Sequence, residues 1–419
     1  MTDETAHRSV EAVWRLESAR VIAGLVRMVR DVALAEDLAQ DALEAALQQW
    51  PESGVPANPG AWLMAVAKRR AVDHFRRAER LERKHALLAH AAVVDPSAAA
   101  LDAVVADDIE DDLLRLMFIC CHPVLSTEAR VALTLRLLGG LTTKEIARSF
   151  LTSEATVAQR IVRAKRTLGE ARVPFEVPSR AERTQRLSSV LEVLYLVFNE
   201  GYSATAGGDW MRPALCEEAL RLGRVLAGLA PDEPEVHGLV ALMEIQASRS
   251  AARTGPRGEP VLLLDQNRSR WDQLLVRRGL AALERAETLP GPPGRYVLQA
   301  QIAACHARAV TAAATDWARV AELYAALAVQ EPSPVVELNR AVALAMAHGP
   351  HAGLVLVDQL RTEPSLQGYH LLPSVRGDLL ARLGRAEEAR AEFRRAAALT
   401  QNERERALLL RRAEAAVSP

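Results

Sequence analysis

Apolar residues return every three or four positions through most of this chain, and polar breaks cut the pattern into pieces of helix length. The sharpest piece is 139–168, GGLTTKEIARSFLTSEATVAQRIVRAKRTL. Thr142 and Glu145 form a T-x-x-E capping box, which predicts a helix from about 143 with Ile146 and Ala147 turned inward. Thr152 and Ser153 make a polar break. Ser153 then caps a second helix whose Val157, Ile161, Ala164 and Leu168 recur at helical spacing. At about 100° per residue this leaves Gln159, Arg163 and Arg166 on the outer face. Two short helices, the second basic on its outer side, fit a helix-turn-helix that meets base edges and phosphates in a major groove. An ordinary αα-hairpin with a solvated basic face has the same spacing.

Upstream, 9–50 reads as two or three helices. In 35–50, AEDLAQDALEAALQQW, Leu38, Ala42, Ala45 and Ala46 form an apolar stripe, while Glu36, Asp37, Asp41 and Glu44 make the helix acidic. Such a face suits a basic partner or simply solvent. A Pro- and Gly-bearing loop, 51–59, precedes a helix from about 60. Its Trp62, Leu63, Val66, Val72 and Phe75 can face a core. Lys68, Arg69, Arg70, Arg76, Arg77, Arg80, Arg83 and Lys84 outnumber Asp73, Glu79 and Glu82 on the same helix. A basic helix carrying aromatic rings suits phosphate contact and capture of unstacked bases. Residues 89–108, rich in Ala, Val and Asp and broken by Pro96, read as a linker. Helices at about 109–121 and 126–138 lead into the helix-turn-helix and complete a four-helix unit ending near Arg172.

After the rigid break VPFEVP, 173–178, the pattern predicts a series of antiparallel helices. They fall near 183–200, 212–229, 233–251, 270–288, 295–314, 316–330, 334–348, 351–361, 372–384, 386–399 and 402–416. Toward the end, Gly377, Leu380, Leu383, Gly384, Ala389, Phe393 and Ala396 follow the tetratricopeptide pattern, in which small residues let paired helices approach closely. Gly353 and Ala321 take the matching small position in two earlier units, at spacings of about 36 and about 32 residues, near the ~34 of that repeat. Pro332 and Pro364 end two units, and Gln401 stands where the last would have its proline. Two polar, Gly-bearing loops, 198–210 and 253–272, break the regularity. Their Asn199, Glu200, Asp265, Gln266, Asn267 and Arg268 either line a ligand pocket or acid/base site, or cap helices and satisfy one another; capping is the reading adopted. No nucleophile-base pair, phosphate loop or zinc spacing is present, so no catalytic residue, metal ligand or cofactor is expected.

Length and composition sharpen this outline. At 419 residues the chain suggests two or three domains of roughly 150 residues each. With 49% hydrophobic but 4% aromatic residues, and Ala, Leu, Arg and Glu abundant, an all-α protein is expected. The formal net charge of -1 means that any binding of a polyanion rests on the local basic clusters. No apolar run approaches the ~20 residues of a membrane span and the first residues lack a signal-peptide core, so the expectation is a cytoplasmic protein without membrane contact. Cys120, Cys121, Cys216 and Cys305 are too few and scattered for a disulfide framework. The run Cys120-Cys121-His122 lacks a second ligand pair and is expected to be buried packing.

Taken in order, an acidic helix, a Trp-bearing basic helix, a linker and a helix-turn-helix resemble the extracytoplasmic-function group of bacterial RNA polymerase sigma factors over about 10–172. AEDLAQDALEAA is similar to that family's helix for the clamp of core polymerase, and the resemblance implies polymerase binding by Asp37, Asp41 and Glu44. AWLMAVAKRRAVDHFRR is similar to the helix that melts and reads the minus-10 element. Trp62, Leu63, Ala67, Asp73 and Arg76 match it, although Arg69 replaces the usual Asn. The implied minus-10 residues are Trp62, Arg69, Arg70, His74, Arg76 and Arg77. EIARSFLTSEATVAQRIVRAK resembles the minus-35 reader, with Thr156, Val157, Arg160, Arg163 and Ala164 on the pattern and Leu151 where a turn glycine is usual. Thr156, Gln159, Arg160, Arg163 and Arg166 are the implied minus-35 residues. The domain expectation is therefore 8–88 for region 2, 89–108 for the linker, 109–172 for region 4 and 180–419 for a tetratricopeptide-like domain. The resembled branch carries such a domain as a fused regulator. Partners so implied are core RNA polymerase and promoter DNA, with a protein or small ligand at the C-terminal domain. Two other readings stay open: a non-sigma helix-turn-helix regulator with a sensing repeat domain, and an enzyme in the C-terminal half using Glu200 or Asp265.

Overall fold

The side chains of Asp31, Ser126, Thr142, Ser153, Asp272, Asp316 and Asn402 cap helix starts in the computed structural model, which describes residues 3–86, 109–150, 152–176, 178, 180–203, 206–207, 211–256 and 258–416. The chain divides into two compact units, Met1–Val193 and Leu194–Pro419. In the first, α1 (Asp3–Val29) and α2 (Val32–Ser53) account for the stretch read as two or three helices. Arg30, at φ 53, makes the sharp turn between them, and the Asp31 carboxylate then accepts from the amides of Ala33 and Leu34 to start α2. The third helix, α3 (Pro59–Ala86), packs on both. Trp14, Ile22, Leu25, Leu38, Ala42, Trp50, Leu63 and Ala67 are buried among them.

The same unit continues through α4 (Ile109–Cys120), α5 (Thr127–Leu137), α6 (Thr143–Ser149) and α7 (Glu154–Glu170). Gly140, at φ 66, turns the chain from α5 into α6 in the left-handed region that glycine enters without a Cβ penalty. Leu116, Leu133, Leu135, Ile146, Val157, Ile161 and Leu168 close this core. Cys120 and Cys121 are buried in it, and burial pushes the Cys121 thiol up to about 12. The expected linker at 89–108, with its Pro96, lies outside the described residues, as does Leu151.

The next helix, α8 (Arg180–Tyr202), contains the boundary between the units. Its first half belongs with unit 1, where Ser189 donates to the carbonyl of Cys121 at 2.6 Å and Glu192 pairs with Arg130 at 3.2 Å. Unit 2 begins within α8 and continues with α9 (Pro213–Leu229), α10 (Pro234–Ser248), α11 (Gln273–Thr288), α12 (Arg295–Arg308), α13 (Trp317–Gln330), α14 (Pro334–His348), α15 (Pro350–Leu360), α16 (Leu371–Arg382), α17 (Ala386–Leu399) and α18 (Glu403–Ala415). From α9 to α18 consecutive helices pack on one another as a helical-repeat array should. One departure from an all-helical unit is a two-residue parallel pairing of β1 (Ala206–Gly207) with β2 (Gln401–Asn402), at the place where Gln401 stands for a terminal proline.

Glycine sets the helix spacing at two of the positions singled out in the sequence. A Cβ on Gly353 of α15 would stand 2.4 Å from the carbonyl oxygen of Ala341 and 2.6 Å from the Ala345 Cβ, both on α14; one on Gly377 of α16 would meet the Phe393 ring of α17 at 3.0 Å. A side chain at residue 353 therefore has to push the helices apart. Gly353→Val is expected to lower stability by about 2–3 kcal/mol, because overpacking outweighs the ~1 kcal/mol that leaving glycine returns in a helix. A thermal melt of the full chain checks this, and an unchanged midpoint would show that the pair separates without cost.

Candidate nucleic-acid interface

The helix-turn-helix is built from side chains that close its two helices. Thr142 donates its amide to the Glu145 carboxylate at 2.8 Å, and the Glu145 amide donates back to the Thr142 hydroxyl at 3.2 Å. Burial works to raise the Glu145 carboxyl, but the bonds from Thr142 and the nearby Arg15 outweigh it and hold that carboxyl below its ordinary value. Ser153 accepts from the amide of Thr156 at 3.1 Å and shares a 2.7 Å hydroxyl contact with Thr156. Thr156 is thus half-buried and engaged in the cap. With Val157, Ile161, Ala164 and Leu168 buried, Gln159, Arg163 and Arg166 stand exposed along α7 and Arg160 is half-buried. Arg166 pairs with Glu170 at 3.2 Å in full view of solvent, a contact worth little by itself.

On α2, Asp37 and Glu44 are exposed and Asp41 is half-buried. Asp41 reaches Arg70 of α3 at 3.4 Å, so one acidic and one basic candidate are brought together across the two helices. Trp62 is half-buried, its ring set edge-on against the fully buried Trp50 at 5.3 Å. Arg69, Arg76 and Arg77 are exposed beyond it, as is His74, whose ring meets Phe75 at 5.9 Å. The side chains of Arg80, Arg83 and Lys84 lie outside the described residues.

Glu36, read from the sequence as part of an acidic face, is instead buried, and ion pairs that the pattern did not anticipate join α1 and α2 to α4–α7 within unit 1. Glu36 of α2 is 5% exposed; its carboxylate accepts from Arg136 Nε of α5 at 2.6 Å and pairs with Lys165 of α7. Arg27 of α1 pairs with the buried Asp112 of α4 at 3.1 Å, and Arg15 of α1 with Glu145 at 2.7 Å. A signal existed in part: Glu36 lies three residues before Ala39 and Lys165 four after Ile161, so each borders an apolar stripe where a charge needs a partner. In unit 2, Glu200 pairs with Arg212, and Asn267 accepts from the Ser269 amide at 3.0 Å to cap a 3-10 turn. Asp265 is exposed. The tip of the first loop, 204–205 and 208–210, lies outside the described residues. Among the described residues no group of three His, Cys, Asp or Glu side chains is placed to hold a metal ion, and no helix is long and apolar enough to cross a membrane.

Comparison with known proteins agrees with this layout. Family models for Sigma-70 region 2 and Sigma-70 region 4 match residues 14–81 and 115–168, and a family of unknown function, DUF6596, matches residues 186–287. An uncharacterized protein of Rhizobium meliloti (strain 1021), R00370, is 43% identical over 398 residues, covering 94% of this chain and 93% of that protein. A probable ECF RNA polymerase sigma factor, SigI, of Mycobacterium tuberculosis is 31% identical over 173 residues, 41% of this chain and 58% of SigI. The ECF RNA polymerase sigma factor SigK of Mycobacterium sp. (strain KMS) is 29% identical over 165 residues, 38% of this chain and 81% of SigK. No solved structure matches.

Proposed function

Because the chain belongs to the extracytoplasmic-function sigma factors and carries an extra C-terminal helical domain, we propose that it binds core RNA polymerase, directs promoter-specific initiation, and is regulated by that domain. The observation that carries the reading is the pairing of a capped α7, with Gln159, Arg163 and Arg166 exposed, with an acidic α2 exposing Asp37 and Glu44 in the same unit. On this reading α2 docks on the polymerase through Asp37, Asp41 and Glu44. The face of α3 bearing Trp62, Arg69, Arg70, His74, Arg76 and Arg77 holds the minus-10 element, and Thr156, Gln159, Arg160, Arg163 and Arg166 of α7 address the minus-35 element. Each linked contact raises the effective concentration for the next, so modest contacts act together as one specific binder.

Unit 2 is more than half of the chain and supplies none of the residues assigned to these contacts, which supports a task separate from promoter binding. The test is run-off transcription with purified core polymerase, comparing the full chain with one ending at Val193, so that the part of α8 packed on Cys121 and Arg130 is kept. Both forms are expected to bind core polymerase and to differ severalfold in specific transcript. Equal transcription removes the regulatory role of unit 2, and failure of both to bind polymerase removes the assignment of α2.

A further inference from the structure

Buried arginines of unit 2 gather where its two irregular loops meet. Arg249 follows the end of α10 and Arg253 lies just beyond; they are 9% and 7% exposed. Arg249 donates to the Tyr202 hydroxyl at 2.6 Å and to Gln246, and its guanidinium stands 5.7 Å from the ring centres of both Tyr202 and Trp271. Arg253 lies over the Tyr202 ring at 3.6 Å. Arg268 stands 5.0 Å from the Trp271 ring centre and donates to the carbonyls of His306 and Ala309 at the end of α12. One loop thus supplies Tyr202, the other Arg268 and Trp271, and Arg249 touches both.

A guanidinium taken out of water ordinarily sits against a carboxylate. Elsewhere in unit 2, Arg212 does so with Glu200, and the buried Arg376 with Glu392. Neither Arg249 nor Arg268 has a carboxylate within ion-pair distance among the described residues, although their charges converge on one indole ring. Polar atoms are also left buried without a hydrogen-bond partner here: Arg249 Nε, Gln266 Oε1, Arg268 Nε, Trp271 Nε1 and His306 Nδ1. The side chains of Arg249, Gln266, Trp271 and His306 are all more than nine-tenths buried. The His306 imidazole is pushed down to about 4, by burial first and then by the charges of Arg249 and Arg268, as expected where positive charge goes uncompensated.

We propose that this junction binds a small oxyanion, a phosphate- or carboxylate-bearing metabolite, with Arg249 and Arg268 as its charge partners and the Trp271 indole as a further donor. A guanidinium offers two parallel N–H groups that match either oxyanion, and an excluded-water setting strengthens those bonds. The proposal is independent of the sigma-factor reading, because its readout is binding rather than transcription.

Thermal melts and tryptophan fluorescence of the full chain, titrated with inorganic phosphate and separately with citrate, each against sodium chloride, test it. One of the two oxyanions is expected to give a saturable shift that chloride does not, and which one does so identifies the group. Arg249→Gln is expected to weaken binding by about tenfold or more, the loss of one charge-assisted bond. Trp271→Phe, which keeps a ring but loses the N–H, is expected to weaken it severalfold. No saturable shift with either anion, or undiminished binding by a folded Arg249→Gln chain, overturns the site. Should Arg249→Gln fail to fold, unchanged affinity in Trp271→Phe overturns it.

Discussion

Arg163→Glu is expected to cut promoter-specific transcription by about 100-fold while leaving the thermal midpoint within about 1 °C. Arg163 is exposed on α7 and forms no ion pair among the described residues, so folding loses little when it changes. Function loses more. A bidentate base contact discriminates by about 1–3 kcal/mol, and a reversed charge adds repulsion from the phosphates on either side. Run-off transcription with core polymerase reads the loss, and a polymerase-binding assay should remain unchanged, since α2 is untouched. Wild-type transcript levels from the variant would show that α7 does not address DNA through this face. A parallel loss of polymerase binding would show instead that the variant had disturbed unit 1.

Glu36→Ala is expected to destabilise the packing of α5 and α7 against α2 by about 2–3 kcal/mol. Breaking a fully buried pair costs about 3–5 kcal/mol because a charge is left without a partner. Here the cost is smaller, since Arg136 and Lys165 keep 21% and 14% of their side-chain exposure and Arg136 retains its 3.2 Å bond to the Leu141 carbonyl. Amide hydrogen exchange measures it directly: the slowest amides of α5 and α7 should exchange about 30- to 150-fold faster, the same free energy expressed as an opening constant. Unchanged protection would mean that the apolar core alone fixes these helices. Glu36→Gln, which keeps the shape and an acceptor, should fall between the two.

Local chemistry made the helices legible. Thr142, Glu145 and Ser153 bond to backbone within three residues of themselves, so their caps can be read in a short window. The stripes on α2 and α7 were equally plain because burial follows a 3.6-residue period. What stayed hidden depends on distant partners. Glu36 meets Arg136 across 100 residues, and Ala206 pairs with Gln401 from the far end of unit 2; no spacing in the sequence encodes either. Tyr202 and Trp271 belong to segments that looked like separate capping loops, and Arg249 to the end of the helix between them. Asn267 and Glu200 do serve such local ends, but Arg249 draws the two loops to one place.

The seclusion of Glu36 bears on how ionic strength acts on this protein. Mobile ions screen exposed charges within about 10 Å at 0.1 M, whereas a carboxylate closed off from solvent is screened far less. Added salt therefore weakens the open Arg15–Glu145 contact and any grip of α7 on phosphates, and leaves the Glu36 latch nearly intact. Salt thus separates two properties that mutation tends to change together: it loosens the protein's hold on nucleic acid without loosening the protein.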